Sequence, residues 1–165
     1  MVDRFHGMKN LNDAVTKARR TIQEHTDAAT QQLLKGCRRL LVKNRENLDA
    51  DERQRLEAML AASPELKLYY DLKEDFRKWF QSPDRSTAEQ GLADWLARVE
   101  ASGLKALQSF TRTLANWKDR ILNYFDGRHS NGFAEGINLK VKFINRRGFG
   151  YRNFENFRLH VLTAF

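Results

Sequence analysis

Between Ser130 and Phe154 the chain holds one carboxylate, Glu135, against five cations: Lys140, Lys142, Arg146, Arg147 and Arg152. Read as a helix over 131–145, this run places Glu135, Asn138, Lys142 and Arg146 on one stripe, at offsets of three, seven and eleven residues. At the helical rise per residue the row is roughly 16 Å long. A carboxylate can hold a hard divalent cation, and basic groups about two and three turns further on can grip the phosphates on which that cation acts. An ordinary solvated face, with its acid set favourably against the helix dipole, accounts for the same spacing.

Other chemistry-bearing residues are sparse. Asp3 follows a short apolar fragment where a strand would end, a natural place for a metal-binding carboxylate. His6, His25, His129 and His160 show no ligand spacing, although His129 lies in the loop just before Glu135. No glycine-rich phosphate loop, no Gly-x-Ser-x-Gly and no Cys–His pair occurs. Trp79, Trp95 and Trp117 sit at core spacing. Phe149, Tyr151 and Phe154 are the aromatics interleaved with arginines, beside Arg147 and Arg152, as base stacking would require.

The elements that must position these groups are mostly helical. Leu11, Val15, Ala18 and Ile22 predict an amphipathic helix from Lys9 to about residue 30. Leu40, Leu41 and Val42, in a row after Gly36, read as a buried strand or a helical turn, with strand the favoured reading. Asp49 with Glu52 forms a capping-box pattern for a helix to about Ala62. Ser63-Pro64 supplies the start of the next helix. Ser86 with Glu89 predicts the start of a third, which Ser102-Gly103 ends. A long helix to Phe125 follows, with Leu104, Leu107, Phe110, Leu114, Trp117, Ile121 and Leu122 inside. Phe133, Ile137, Val141 and Ile144 mark the inner face of the helix carrying Glu135. Gly148 and Gly150 interrupt it before a last helix from about Asn153.

The 165 residues suffice for a domain with a real core, and 29 Lys plus Arg against 21 Asp plus Glu favour a polyanionic partner, nucleic acid before membrane. The charge is uneven: +5 over residues 1–48, −4 over 49–100, +3 over 101–120 and +4 over 121–165. An acidic middle between basic ends suggests a module inserted in a polyanion-binding body. Cys37 is the lone cysteine, so a disulfide framework is excluded and a reducing, intracellular setting is expected. No apolar run approaches the length of a membrane span.

Several stretches together resemble one family. "VDRFH" at 2–6, "KGCRRLLVKNRENL" at 35–48, "LKEDFRKWF" at 72–80 and the run 121–158, above all "SNGFAEGIN" and "RRGFGYRNFENF", are similar to the C-terminal part of bacterial insertion-sequence DDE transposases of the ISL3 type. The resemblance implies a mainly α chain: part of an RNase H-like α/β catalytic domain, with at most one or two strands, interrupted by an all-helical insertion. Residues 1–48 would carry the second catalytic Asp, 49–120 the insertion, and 121–165 the helix of the catalytic Glu. Matched residue by residue, Asp3 takes the second Asp and Glu135 the Glu, both as ligands of two Mg²⁺ (or Mn²⁺) ions in the intact site. Lys142 matches a basic position used on DNA near the scissile bond. Asn138, Lys140, Arg146, Arg147 and Arg152 complete the expected DNA surface. Leu139 stands where an Asn would be expected.

The implied activity is Mg-dependent cleavage and strand transfer at element ends. Its partners would be double-stranded DNA of transposon ends and target, with homo-oligomerisation of the intact protein, in the bacterial cytoplasm at the nucleoid. The first Asp would lie on a strand ahead of Asp3, for which this sequence has no counterpart, so inactivity of the chain alone is expected. A non-enzymatic helical DNA-binding or assembly module needs only the basic ends and the helical middle, and stands as the alternative.

Overall fold

The computed structural model describes residues 4–127 and 132–164, so Asp3, assigned above to the metal site, lies outside the described residues. These divide into two compact units, Met1–Arg128 and His129–Phe165.

In the first unit, α1 (Arg4–Glu24) is followed by α2 (Ala28–Leu34) and α3 (Arg38–Val42), then a 3₁₀ turn at Arg45–Asn47. Next come α4 (Ala50–Ala62), α5 (Pro64–Trp79) and α6 (Arg85–Ser102), a second 3₁₀ turn (Lys105–Leu107), α7 (Gln108–Leu122) and α8 (Tyr124–Gly127). The second unit holds α9 (Gly132–Arg147) and α10 (Phe154–Thr163). The described residues contain no strand.

Two boundaries follow the expected capping chemistry. Asp49 accepts from the Glu52 N–H at 2.8 Å while the Glu52 carboxylate accepts from the Asp49 N–H at 3.3 Å, a complete capping box for α4. Ser63 Oγ accepts from the Leu66 N–H, with Pro64 at the first turn of α5. Three expectations need correction. The helix from Lys9 does not run to residue 30: it ends at Glu24, because Asp27 takes the Ala29 and Thr30 N–H groups and starts α2. Asp84, not Ser86, caps α6, accepting from the Thr87 N–H at 2.9 Å. Residues 40–42 form helix α3, not a strand. With no strand beside them, their backbone is satisfied locally: the Leu41 N–H donates to the Cys37 carbonyl and Lys43 to Arg39.

The core of the first unit is where α1 lies against α5, α2 and α3, while α5 also packs on α4 and α6. Phe76 is its centre: Trp79, Phe80, Trp95 and Phe110 surround its ring at centroid distances of 4.8–5.3 Å. Offset and edge-on pairs of this kind add to the area they bury. Trp79 and Trp95 satisfy their indole N–H groups on the Ala88 and Leu72 carbonyls, so neither burial leaves an orphan donor. Gly91 lets Trp79 approach, since a Cβ there would lie 3.1 Å from its Cδ1. The long helix expected up to Phe125 is broken by the 3₁₀ turn and by a step at Asn123. Its apolar stripe is buried except at Trp117, expected in the core but 42% exposed, where Arg120 stands 5.9 Å from the ring. Periodicity identifies a face; it does not say how far along the helix a neighbour covers it.

A buried polar cluster joins α3, α5 and the first 3₁₀ turn. Lys73 is 1% exposed; its Nζ donates to the Leu41 carbonyl at 2.8 Å, pairs with Glu74 Oε1 at 2.5 Å and lies 4.4 Å over the Tyr70 ring. Glu74 Oε2 accepts from Arg77, whose guanidinium also grips Glu46 through two bonds of 2.7 and 2.8 Å. Burial pushes the Lys73 ammonium below the ordinary lysine range, against the pull of Glu74.

Candidate nucleic-acid interface

α9 owes its form to helix-favouring Leu, Lys and Arg, with Glu135 in its first turn and Arg146 and Arg147 in its last, each sign placed to suit the helix dipole. Ile137, Val141 and Ile144 are half-buried, as an inner face requires, whereas Phe133, assigned to that face, is 82% exposed. α10 packs on α9. Asn153 caps α10 by accepting from the Glu155 N–H at 2.8 Å.

The stripe is a real feature of the helix. Glu135, Asn138, Lys142 and Arg146 are all exposed in one row, and Lys140, Arg147 and Arg152 are exposed as well. Among the described residues no ion pair engages Lys142, Arg146, Arg147 or Arg152, and none engages Glu135. Lys140 Nζ is engaged by the Ala164 carbonyl, which ties α9 to the end of α10. Leu139 and Phe143 lie beside the stripe, both more than half exposed. So the face is cationic along one line and apolar along the next.

No group of three or more His, Cys, Asp or Glu among the described residues is placed to hold a metal ion. Glu135 offers one exposed carboxylate, which suits a single ligand of a hard divalent ion and is not a site by itself. The described residues therefore do not make up the expected two-ion donor set.

Beyond the stripe, the chain turns through Gly148-Phe149-Gly150. Gly148 donates to the Ile144 carbonyl, Phe149 to Arg146 and Gly150 to Asn145, the last two closing a Schellman-type helix end. Phe149, flanked by two glycines, lies in the left-handed region (φ 51°) although it is not a glycine, and its side chain is 100% exposed. The Tyr151 ring occupies the space over Gly148, where a Cβ would come within 2.6 Å of it. Tyr151 is held in turn by His160 Nδ1, 2.8 Å from its hydroxyl, and by the Phe157 ring at 5.2 Å. Of the three aromatics between the arginines, Phe149 and Phe154 are exposed as base stacking would require, but Tyr151 is half-buried against α10; Gly-Phe-Gly after a helix is the sequence signal of the strained turn.

Comparison with known proteins agrees with this reading in part. A family model described as a transposase of the ISL3 type matches residues 1–161. The transposase for insertion sequence element IS1001 of Bordetella parapertussis is 34% identical over 145 residues, 87% of this chain and 35% of that protein. A Lactococcus lactis protein named as an ATP-dependent protease is 28% identical over 107 residues, 65% of this chain and 33% of its own. The transposase for insertion sequence element IS1557 of Mycobacterium tuberculosis is 28% identical over 120 residues, 73% of this chain and 27% of its own. No solved structure matches. The chain spans about a third of the length of these relatives. With nearly its whole length inside the family model, the chain belongs to the ISL3-type transposase family.

Proposed function

We propose that this chain contributes to DNA transposition as the part of a DDE transposase that carries the catalytic Glu helix and a DNA-binding face. The observation that carries the reading is the row of Lys142 and Arg146 on α9, with Arg147 and Arg152 beyond it, exposed and without carboxylate partners among the described residues. Unpaired cations in a row along a helix match the spacing of a phosphate backbone better than they match any apolar ligand. Glu135, about two turns before this row, is the proposed ligand of a Mg²⁺ or Mn²⁺ ion, with Asp3 its companion by resemblance. When bound, such ions activate an attacking oxygen and stabilise a leaving one at phosphorus. The α9 cations orient the strand; no cleavage step is assigned to them.

DNA binding by the full chain, followed by anisotropy of a labelled duplex over a salt series, tests this reading. The affinity is expected to fall steeply with salt. Lys142→Ala combined with Arg146→Ala should reduce the log–log slope by about 2, one for each phosphate no longer neutralised. No binding at low salt would remove the DNA reading and favour a helical assembly module. Binding with an unchanged slope would move the interface elsewhere on the chain.

A further inference from the structure

We infer that Phe149 is a stacking finger for an unpaired DNA base, presented by a rigid hook at the end of α9; this rests on the DNA reading above and gives that surface a specific contact. A helix can close this way with glycine or asparagine in the left-handed position, and a glycine stands on either side of Phe149. Placing a phenylalanine there costs on the order of 1 kcal/mol in backbone strain. The ring recovers nothing from the fold, because it is fully exposed. Folding stability thus opposes both the position and the side chain, and neither solubility nor the helix cap needs the ring.

The hook is also fixed. Three backbone hydrogen bonds of 3.0–3.1 Å, from Gly148, Phe149 and Gly150, define its path. Tyr151 packs over Gly148, locked by His160 and Phe157 on α10. An aromatic ring pre-oriented in this way loses little conformational entropy when a flat partner settles on it. The partner's charge is set by Arg146 and Arg147 just before the hook and Arg152 just after it, all exposed and without ion pairs among the described residues. An apolar π-face between guanidinium groups suits a base still joined to its phosphates. A base within a fully paired duplex has both faces covered, so the ligand is a base in a single strand or one unpaired within a duplex.

The test uses the full chain and three labelled oligonucleotides: a single strand, a fully paired duplex, and that duplex with one bulged base, each roughly 15 nucleotides long so as to span the site size of a single-strand groove. Each carries 2-aminopurine, whose emission falls when it stacks. Phe149→Ala is expected to weaken binding to the single strand and the bulged duplex roughly ten-fold or more and to abolish the quenching. Binding to the paired duplex and the salt dependence of all three should stay unchanged, and Phe149→Trp should restore both affinity and quenching. Loss confined to the bulged duplex assigns the finger to an unpaired base within a duplex, and loss on both to any unpaired base. Unchanged affinity for all three DNAs in Phe149→Ala, with the wild-type circular dichroism spectrum retained, overturns the inference and leaves the DNA reading standing. Equal loss on all three overturns base stacking in favour of a groove contact. If the wild-type chain binds none of the DNAs, the DNA reading itself fails, and this inference with it.

Discussion

The two units treat the same kinds of residue in opposite ways. In Met1–Arg128 the large aromatics are stacked out of water around Phe76, and cations close to the core are paired: Lys43 with Glu52, Lys73 with Glu74, and Arg77 with both Glu74 and Glu46. In His129–Phe165, Phe133, Phe143, Phe149, Phe154, Leu159 and Leu162 stand exposed, and six Lys or Arg face only Glu135 and Glu155. Arg158–Glu155, spaced as neighbours on α10, is the ion pair seen there among the described residues. A segment of under forty residues cannot bury enough apolar area to support a core of its own. The lesson is a division of labour: the first unit commits its aromatics and charges to stability, while the second keeps its own available for a partner.

Changes to the first unit should cost most. Glu74→Ala leaves the Lys73 ammonium buried with no carboxylate, only the Leu41 carbonyl and the Tyr70 ring beside it, and is expected to cost about 3–5 kcal/mol in urea unfolding followed by circular dichroism. Phe76→Ala opens a cavity among four aromatic rings and should cost a similar ~3–5 kcal/mol. If either costs less than a conservative surface change, the division does not hold.

A smaller and opposite effect is expected at Tyr70. Its hydroxyl is buried with no hydrogen-bond partner, so Tyr70→Phe should raise stability by about 1 kcal/mol. Burial, and then the Glu74 charge, push the Tyr70 phenol up to about 12. A group with a raised folded pKa gives stability that is complete below its unfolded value, about 10, and is lost as pH rises toward 12. Wild-type stability should therefore fall between about pH 10 and 12, and Tyr70→Phe should flatten that fall. At the acid end, the Lys43 hydrogen bond holds the Glu52 carboxylate below its usual range, and its own backbone N–H does the same for Glu46. A depressed carboxylate loses its contribution as pH falls through the folded value. Unfolding midpoints should drop below about pH 4.5, less steeply in Glu52→Gln.

In the second unit the effects on stability should be slight and those on binding large. Lys142→Ala and Arg152→Ala are expected to change global stability by less than about 0.5 kcal/mol in the same urea titrations. Gly148→Ala is the exception in that unit. A Cβ would strike the Tyr151 ring, and hydrogen exchange of the amides in α10 should quicken while the first unit's amides stay protected.

Much of the first unit is legible from residue order. Asp49 with Glu52, Ser63 before Pro64 and Gly103 after Ser102 mark helix ends by local chemistry, which needs no distant partner. The misreadings at residues 40–42 and at Trp117 share a cause, because a short apolar run or a single stripe position depends on what lies across from it. The Lys73–Glu74–Arg77 cluster was hidden for the same reason: in sequence, "LKEDFRKWF" looks like charges on the solvent side of an amphipathic helix.

For the candidate site, residue order alone fixes which groups share the α9 stripe, since the helical period places Glu135, Asn138, Lys142 and Arg146 in a row wherever that helix sits. Family membership likewise follows from residue identities alone. That Lys142 and the three arginines have no carboxylate partners among the described residues is visible only in the folded chain. The fold also shows that Lys140 is turned toward the end of α10 and that Phe149 is held in the left-handed region with its ring in water. The physical reason is range: helical spacing and capping act over three or four residues, whereas ion pairing, burial and a locked helix end depend on groups far apart in sequence.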